Sequence, residues 1–197
     1  MCEEPPFFEE ASRRVEERLS TLLGEPVRIS VHVSLDRKLI DEIIKIESSM
    51  FRDELRYSLW ELMARSEKPG FVLIMVRRSG EPLAFFFGYE DSELHGGYYG
   101  DTLASIIEGK GVGSSLFSLV HIYCYENGYS YFTCHTEEVD EKGRKLRDWY
   151  KAMEMDHIRT TQEHGDLMRV RLTLGHANWM YHHNILGEKH YKKQVQL

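Results

Sequence analysis

Three glycines alternate in the stretch Glu108-Gly109-Lys110-Gly111-Val112-Gly113-Ser114-Ser115, where an extended run gives way to a helical pattern. Glycine lets a backbone approach a ligand that Cβ atoms would exclude. Beyond the turn, Val112, Leu116, Leu119, Val120 and Tyr123 fall at helical spacing, one apolar face of about four turns. A strand, a glycine turn and a helix in that order aim unpaired N–H groups and the positive dipole end at one point. Such a point suits phosphate. A tight turn that needs glycine only for its backbone angles would look the same.

Spacing narrows the ligand. The Walker pattern requires Gly-Lys followed by Ser or Thr, and here Gly111 follows Lys110. The dinucleotide pattern requires a third glycine three residues beyond the second, and neither starting glycine supplies it.

With 197 residues the chain is long enough to bury its own core as one domain. Apolar residues at 42% and charged residues at 29% fit a soluble globular chain. No apolar run reaches the length of a membrane span, and the acidic start with Pro5-Pro6 is unlike a signal peptide. Cys2, Cys124 and Cys134 are odd in number and lack a Cys-x-x-Cys spacing, so neither a disulfide framework nor a zinc site is indicated. Reduced cysteines in a cytoplasmic protein are expected. A net charge of −7 argues against a nucleic-acid partner and favours a cationic acceptor such as an amine.

The pattern along the chain predicts a helix over 7–23, with Phe8, Val15, Leu19, Leu22 and Leu23 inward and Gly24 as its stop. A half-buried strand follows over 27–33, alternating apolar and polar. Ser34 or Asp36 can cap the next helix, carrying Leu39, Ile40, Ile43, Ile44 and Ile46, and a second short helix spans 53–66. Strands over 71–77 and 82–89 are joined by the hairpin residues Ser79-Gly80. Leu83 to Phe87 is apolar throughout, so this strand should be covered on both faces, and Gly88 suggests a bulge or close approach. After a turn over 91–96, a third extended run over 97–107 enters the glycine turn. Asn127-Gly128 ends the helix, and a strand over 129–136 is parallel to its predecessor if that helix is the crossover. A helix over 141–155 and a hairpin of strands 158–162 and 167–174 complete the pattern.

From Gly175 the pattern changes to a polar tail without clear period, holding Trp179, Tyr181, Tyr191 and histidines 176, 182, 183 and 190. No fixed ligand spacing marks a metal site there. The tail is expected to dock on the domain or on a second subunit of a homodimer.

The glycine turn resembles motif A of the GCN5-related N-acetyltransferases (GNAT), Gln/Arg-x-x-Gly-x-Gly/Ala, with Gly111 and Gly113 in the glycine places. Asp101-Thr102-Leu103-Ala104 looks like the end of that family's fourth strand. Trp149-Tyr150-Lys151-Ala152-Met153-Glu154-Met155 resembles its Leu-Tyr-Glu-Lys-x-Gly-Phe helix end, with Glu154 where glycine is usual. The resemblance covers residues 27–174. It implies an α/β (α+β) fold, a GNAT-like central mixed, mostly antiparallel sheet with helices on both faces. It leaves a helical extension over 1–26 and the tail over 175–197.

The same resemblance implies an acyl-CoA-dependent N-acyltransferase that passes an acetyl group directly from acetyl-CoA to the primary amine of a small molecule or peptide. Amides of Gly109, Lys110, Gly111, Val112, Gly113 and Ser114 would hold the pyrophosphate, and amides near Leu103 or Ala104 would polarise the thioester carbonyl. Glu108 replaces the motif's Gln or Arg, so an anion with little to offset it is expected to weaken binding. Tyr150 falls where the family's tyrosine gives a proton to the departing thiolate; a tyrosine packed on an apolar helix face is the alternative. Asp101, His135 and Glu137 are candidate bases, and solvent could serve instead. No metal is implied. A CoA-binding or assembly protein that keeps the fold without catalysis is the rival reading, and a protein–protein module built on the helical extension and aromatic tail is a third.

Overall fold

Ser79 and Gly80 both have positive φ, +50° and +88°, the type I′ geometry that closes a two-residue hairpin. That turn joins β2 (Val72–Arg78) to β3 (Glu81–Glu90) in a computed structural model describing residues 7–140 and 142–191. Cys2, Pro5-Pro6 and Glu141 lie outside the described residues, as do residues 192–197. β1 (Val27–His32) pairs with β2, and β4 (Gly97–Ser105) pairs with β3, all antiparallel. Asp91 shapes the β3–β4 turn by accepting the N–H groups of Glu93 and Leu94 at 2.8 and 3.2 Å.

α4 (Val112–Glu126) then crosses over to β5 (Tyr131–Thr136), which lies parallel to β4. β6 (Asp156–Thr161) and β7 (Gly165–Arg171) form the final hairpin, giving the seven-stranded order β1-β2-β3-β4-β5-β7-β6. Pro82 to Tyr89 is buried without interruption, because helices cover both faces of β3. α2 (Arg37–Met50) and α3 (Leu59–Ser66) cover one face around Phe85 and Phe87; α1 (Phe8–Leu23) and α4 cover the other around Phe86 and Phe132.

Several sequence expectations change. Only Ala11, Val15 and Leu19 of α1 are buried, while Leu22 is largely exposed. In β1 burial tapers from Val27 to an exposed Val31, since this strand has a neighbour on one side only. The Glu16 carboxylate accepts the Ile29 N–H at 2.7 Å, blunting that edge. The helix expected over 53–66 is broken: a 3₁₀ turn, Asp53–Leu55, precedes extended Arg56, and Ser58 restarts the chain as α3 through a capping box with Glu61. The helix expected over 141–155 is α5 (Leu146–Ala152). Asp140 causes the delay, its Oδ1 accepting from the backbones of Lys142 and Arg144 at 3.0 and 2.8 Å while Gly143 takes φ +72°.

α4 is not amphipathic as predicted. Every residue from Ser115 to Ile122 is buried, because α6 (Leu174–Met180) and a π-helical turn, Tyr181–Ile185, pack on it alongside α1. Residues from 175 onward thus supply core side chains, Ala177, Met180 and Ile185. Among the described residues no helix is long and apolar enough to cross a membrane, and no cluster of three metal-ligating side chains occurs.

Candidate active site

The parallel pairing of β4 with β5 stops early. Gly97 to Gly100 pair with Tyr131 to Cys134, yet β4 runs on to Ser105, and His135 and Thr136 pair only with β7. From Asp101 to Ser105 one edge of β4 therefore faces a slot rather than a strand. The register of β3 and β4 shifts at the same place: Phe87 faces Thr102 and Gly88 faces Gly100, leaving Asp101 as the extra residue of a bulge. Glycine is required there, since a Cβ at Gly88 would sit 2.4 Å from the Tyr99 carbonyl, and one at Gly100 would sit 2.4 Å from the Phe132 ring. The edge backbone of Leu103 and Ala104, expected to polarise a thioester, lies along this slot.

At the end of the slot the chain turns into α4. Gly109 and Gly111 hold φ of +72° and +75°, so the turn itself demands them. Gly113 is different. It is helical, and a Cβ there would meet nothing closer than Leu103 at 3.8 Å. Neither backbone nor protein packing accounts for the missing side chain; it leaves open room over the helix terminus. Among the described residues no side chain caps α4, and the first intrahelical bond runs from Ser115 N to Gly111 O, so the amides of Val112, Gly113 and Ser114 precede the ladder. The residues fit a phosphate group. Lys110 is exposed beside them.

Glu108 does not stand unopposed, contrary to the sequence expectation. Its Oε1 accepts from Lys142 Nζ at 2.9 Å and Arg144 Nη1 at 3.0 Å, and these bonds hold its carboxyl below the usual range. The Asp140 loop delivers both cations.

Tyr150 lies on α5 at the α4 face of the slot, its ring 5.6 Å from Phe117 and its hydroxyl against the Cys134 thiol. Burial, then the neighbouring Cys134, pushes the phenol well above its ordinary value; burial pushes the thiol up to about 12. Both stay protonated at neutral pH.

The opposite face gathers the other candidates. Asp101 accepts from four donors: Tyr57 Oη and Thr102 Oγ1 on Oδ1, at 2.5 and 3.2 Å, and Tyr89 Oη and Arg65 Nε on Oδ2, at 2.5 and 3.0 Å. A carboxylate offers about four lone-pair sites, so these are taken. Burial raises both phenols further above their ordinary range. His135 Nδ1 lies 3.2 Å from Tyr99 Oη, and burial, with His164 and Arg159, lowers its pKa and keeps the ring neutral. Glu137 is apart from these groups, in an exposed bond with Arg52 at 2.8 Å.

Sequence reasoning missed Tyr57, Arg65, Tyr89 and Glu47. Glu47 is 1% exposed; its Oε2 accepts the Tyr57 N–H at 3.1 Å while Oε1 has no partner among the described residues, and burial raises its pKa to about 7. An acid four residues beyond Ile43, on the apolar stripe of α2, was the available signal.

No protein-family model matches the chain, and no curated protein matches it by sequence. Its likeness to known proteins lies in the fold. The ribosomal-protein-S18-alanine N-acetyltransferase from Escherichia coli superposes with a TM-score of 0.59 at 10% identity, over 74% of this chain and 94% of that one. An aminoglycoside 6′-N-acetyltransferase complexed with coenzyme A gives 0.60 at 11% identity, over 74% and 97%. A GNAT-family protein from Desulfovibrio desulfuricans gives 0.61 at 11% identity, over 75% and 99%.

Proposed function

We propose, from the GNAT fold that this chain has, that it transfers an acetyl or other short acyl group from acyl-CoA to a primary amine. The observation that carries the reading is the slot. A parallel strand pair parts at Gly100 and Cys134, an uncapped helix N-terminus with vacant space over Gly113 lies at its end, and a protonated tyrosine flanks it. Acyl-CoA supplies the activated carbonyl.

Each residue then has a task. Amides of Val112, Gly113 and Ser114 bind the pyrophosphate, with Gly109 and Gly111 setting the turn. The free edge of β4 near Leu103 and Ala104 orients the acyl arm. Tyr150 holds a proton at Oη on the α4 side, where a departing thiolate can take it. On the other face neutral His135 is the base for the incoming ammonium, because burial, with His164 and Arg159, keeps its ring unprotonated and Asp101 is already engaged by four donors. Asp101 positions Tyr57 and Tyr89 along the acceptor wall. Glu137, paired with Arg52, borders that wall.

The two named transferases act on a ribosomal protein's alanine and on aminoglycosides, so one fold serves unrelated acceptors. The acceptor class is therefore set by the loops and the α2–α3 region of this chain. The deciding experiment offers acetyl-CoA with amines, polyamines, amino acids and peptides, and reads free thiol. Acceptor-dependent release supports the reading. Binding of acetyl-CoA without release across the panel would leave a CoA-binding protein, and failure to bind it would remove the assignment altogether.

A further inference from the structure

Motif A places Gln or Arg where this chain has Glu108, so the phosphate turn lacks a donor at that place, and its own cation, Lys110, is exposed to solvent. A second cation reaches the turn from elsewhere. Arg18 lies on α1, ahead of the strand at which the GNAT-like order begins. Its Nη1 donates to the carbonyls of Asn184 and, at 3.2 Å, Ile185, at the end of the π-helical turn. Its Nη2 points to the glycine turn, 3.3 Å from where a Cβ of Gly111 would be.

Arg18 has no carboxylate partner among the described residues. The neighbouring acid on α1, Glu17, pairs with Arg13 at 2.8 Å and Arg14 at 3.6 Å instead. Two carbonyls fix the guanidinium plane, but they carry only partial negative charge. A half-buried guanidinium is thus held rigidly beside an uncapped helix N-terminus with one nitrogen in reserve. An anion between Nη2 and the amides of Val112 to Ser114 would satisfy both. The planar fork of arginine suits phosphate oxygens.

We infer that Arg18 is a phosphate ligand of the acyl-CoA site, an anchor supplied by the N-terminal helix in place of the motif's missing Gln or Arg. The inference rests on the reading of the slot as an acyl-CoA site. It also gives α1 and the π-helical turn a common purpose, since the turn's carbonyls aim the arginine. Phosphate could come from the pyrophosphate of CoA or from an unrelated nucleotide, so the test uses ligands that separate the two.

Wild type, Arg18→Gln and Arg18→Lys are titrated calorimetrically with acetyl-CoA and with ADP, and assayed for turnover of S-acetylpantetheine, which lacks phosphate. Arg18→Gln is expected to weaken acetyl-CoA about tenfold, with a smaller loss in Arg18→Lys, while S-acetylpantetheine turnover is unchanged. The salt dependence of acetyl-CoA affinity should fall in Arg18→Gln. Equal losses with both acyl donors would make Arg18 structural and overturn the inference; so would undiminished acetyl-CoA affinity. ADP bound by wild type in the absence of any acetyl-CoA binding would assign the turn to another nucleotide and sink both readings. Should Arg18→Gln fail to fold, phenylglyoxal labelling of wild type, mapped by mass spectrometry, replaces it. Acetyl-CoA, but not S-acetylpantetheine, must then protect Arg18.

Discussion

Glu154 holds a left-handed backbone, φ +63°, while its carboxylate lies 3.2 Å from Nδ1 of the fully buried His176. His176 Nε2 in turn lies 2.8 Å from Nδ1 of buried His121, whose pKa burial lowers. One tautomer set satisfies this chain: His121 Nδ1–H donates to His176, and His176 Nδ1–H donates to Glu154. Only the bare His121 Nε2 is then left without a partner, against the Phe117 and Phe132 rings. The resembling motif has glycine at this helix end, and the backbone here has kept glycine's conformation. Glu154→Gly would relieve roughly 1 kcal/mol of left-handed strain. It would also remove a charge-assisted bond to a buried imidazole, worth about 1.5–3 kcal/mol. The lost bond outweighs the relieved strain, so the variant should be less stable by on the order of 1 kcal/mol in urea unfolding. Unchanged or higher stability would mean that the carboxylate does nothing for His176.

Tyr150→Phe keeps the ring on Phe117 and Trp149 and loses only a hydroxyl against a weakly polar thiol. Folding should be altered by less than about 1 kcal/mol. If Tyr150 supplies the proton, kcat should fall at least about tenfold with acetyl-CoA affinity nearly unchanged. Turnover at wild-type speed, with chemistry limiting, would make Tyr150 a packing residue.

Gly113 separates folding from binding. Its φ is helical and a methyl group has room, so Gly113→Ala should stabilise the free protein by up to about 1 kcal/mol through helix propensity. Motif A accepts alanine at this place, so Gly113→Ala should keep acetyl-CoA affinity, whereas the branched side chain of Gly113→Val fills the space assigned to pyrophosphate and affinity should drop. A folded Gly113→Val variant that binds with wild-type affinity would place the ligand elsewhere.

How much of this was legible in the sequence follows from the range of each interaction. Hairpins and strands were readable because Ser79-Gly80 and the period-two pattern act locally. The breaks at Arg56 and Asp140 were not, because distant or side-chain acceptors take the backbone N–H groups: Glu47 takes that of Tyr57, and Asp140 those of Lys142 and Arg144. The tail showed no period because seven residues of α6 run into a π-helical turn, which shifts the 3.6-residue repeat. Asp101 and Tyr150 could be placed by motif, whereas the partners of Asp101 could not: Tyr57 and Arg65 stand 44 and 36 residues away.

Glu108 borders the phosphate turn as an anion paired with two cations. Its carboxylate ties up Lys142 and Arg144 beside the phosphate turn. Glu108→Gln would loosen Lys142, leave Arg144 held by Asp140 through Nε, and remove an anion, so acetyl-CoA should bind more tightly at low salt. The gain should not exceed about fivefold, since these groups are exposed and screened. Calorimetry at two ionic strengths checks it; weaker binding would mean that the carboxylate organises the Asp140 loop for the ligand.

Glu47 gives the sharpest pH signature. Its folded pKa is about 7 against an ordinary 4.5, so between those values the folded state binds the extra proton. Stability from this group is therefore complete below about pH 4.5 and is lost as pH rises through 7, with a limiting slope of about 1.4 kcal/mol per pH unit. His121 and His135 act with the opposite sign, because their folded pKa values are lowered and the unfolded chain binds their protons. Comparing variant with wild type cancels those contributions. Glu47→Gln removes the titration and keeps an acceptor for the Tyr57 N–H. Its stability relative to wild type should improve steadily between pH 5 and 7.5 in urea unfolding. A constant difference across that range would show that Glu47 is ionised in the folded state throughout, and that the unpartnered Oε1 is satisfied by water.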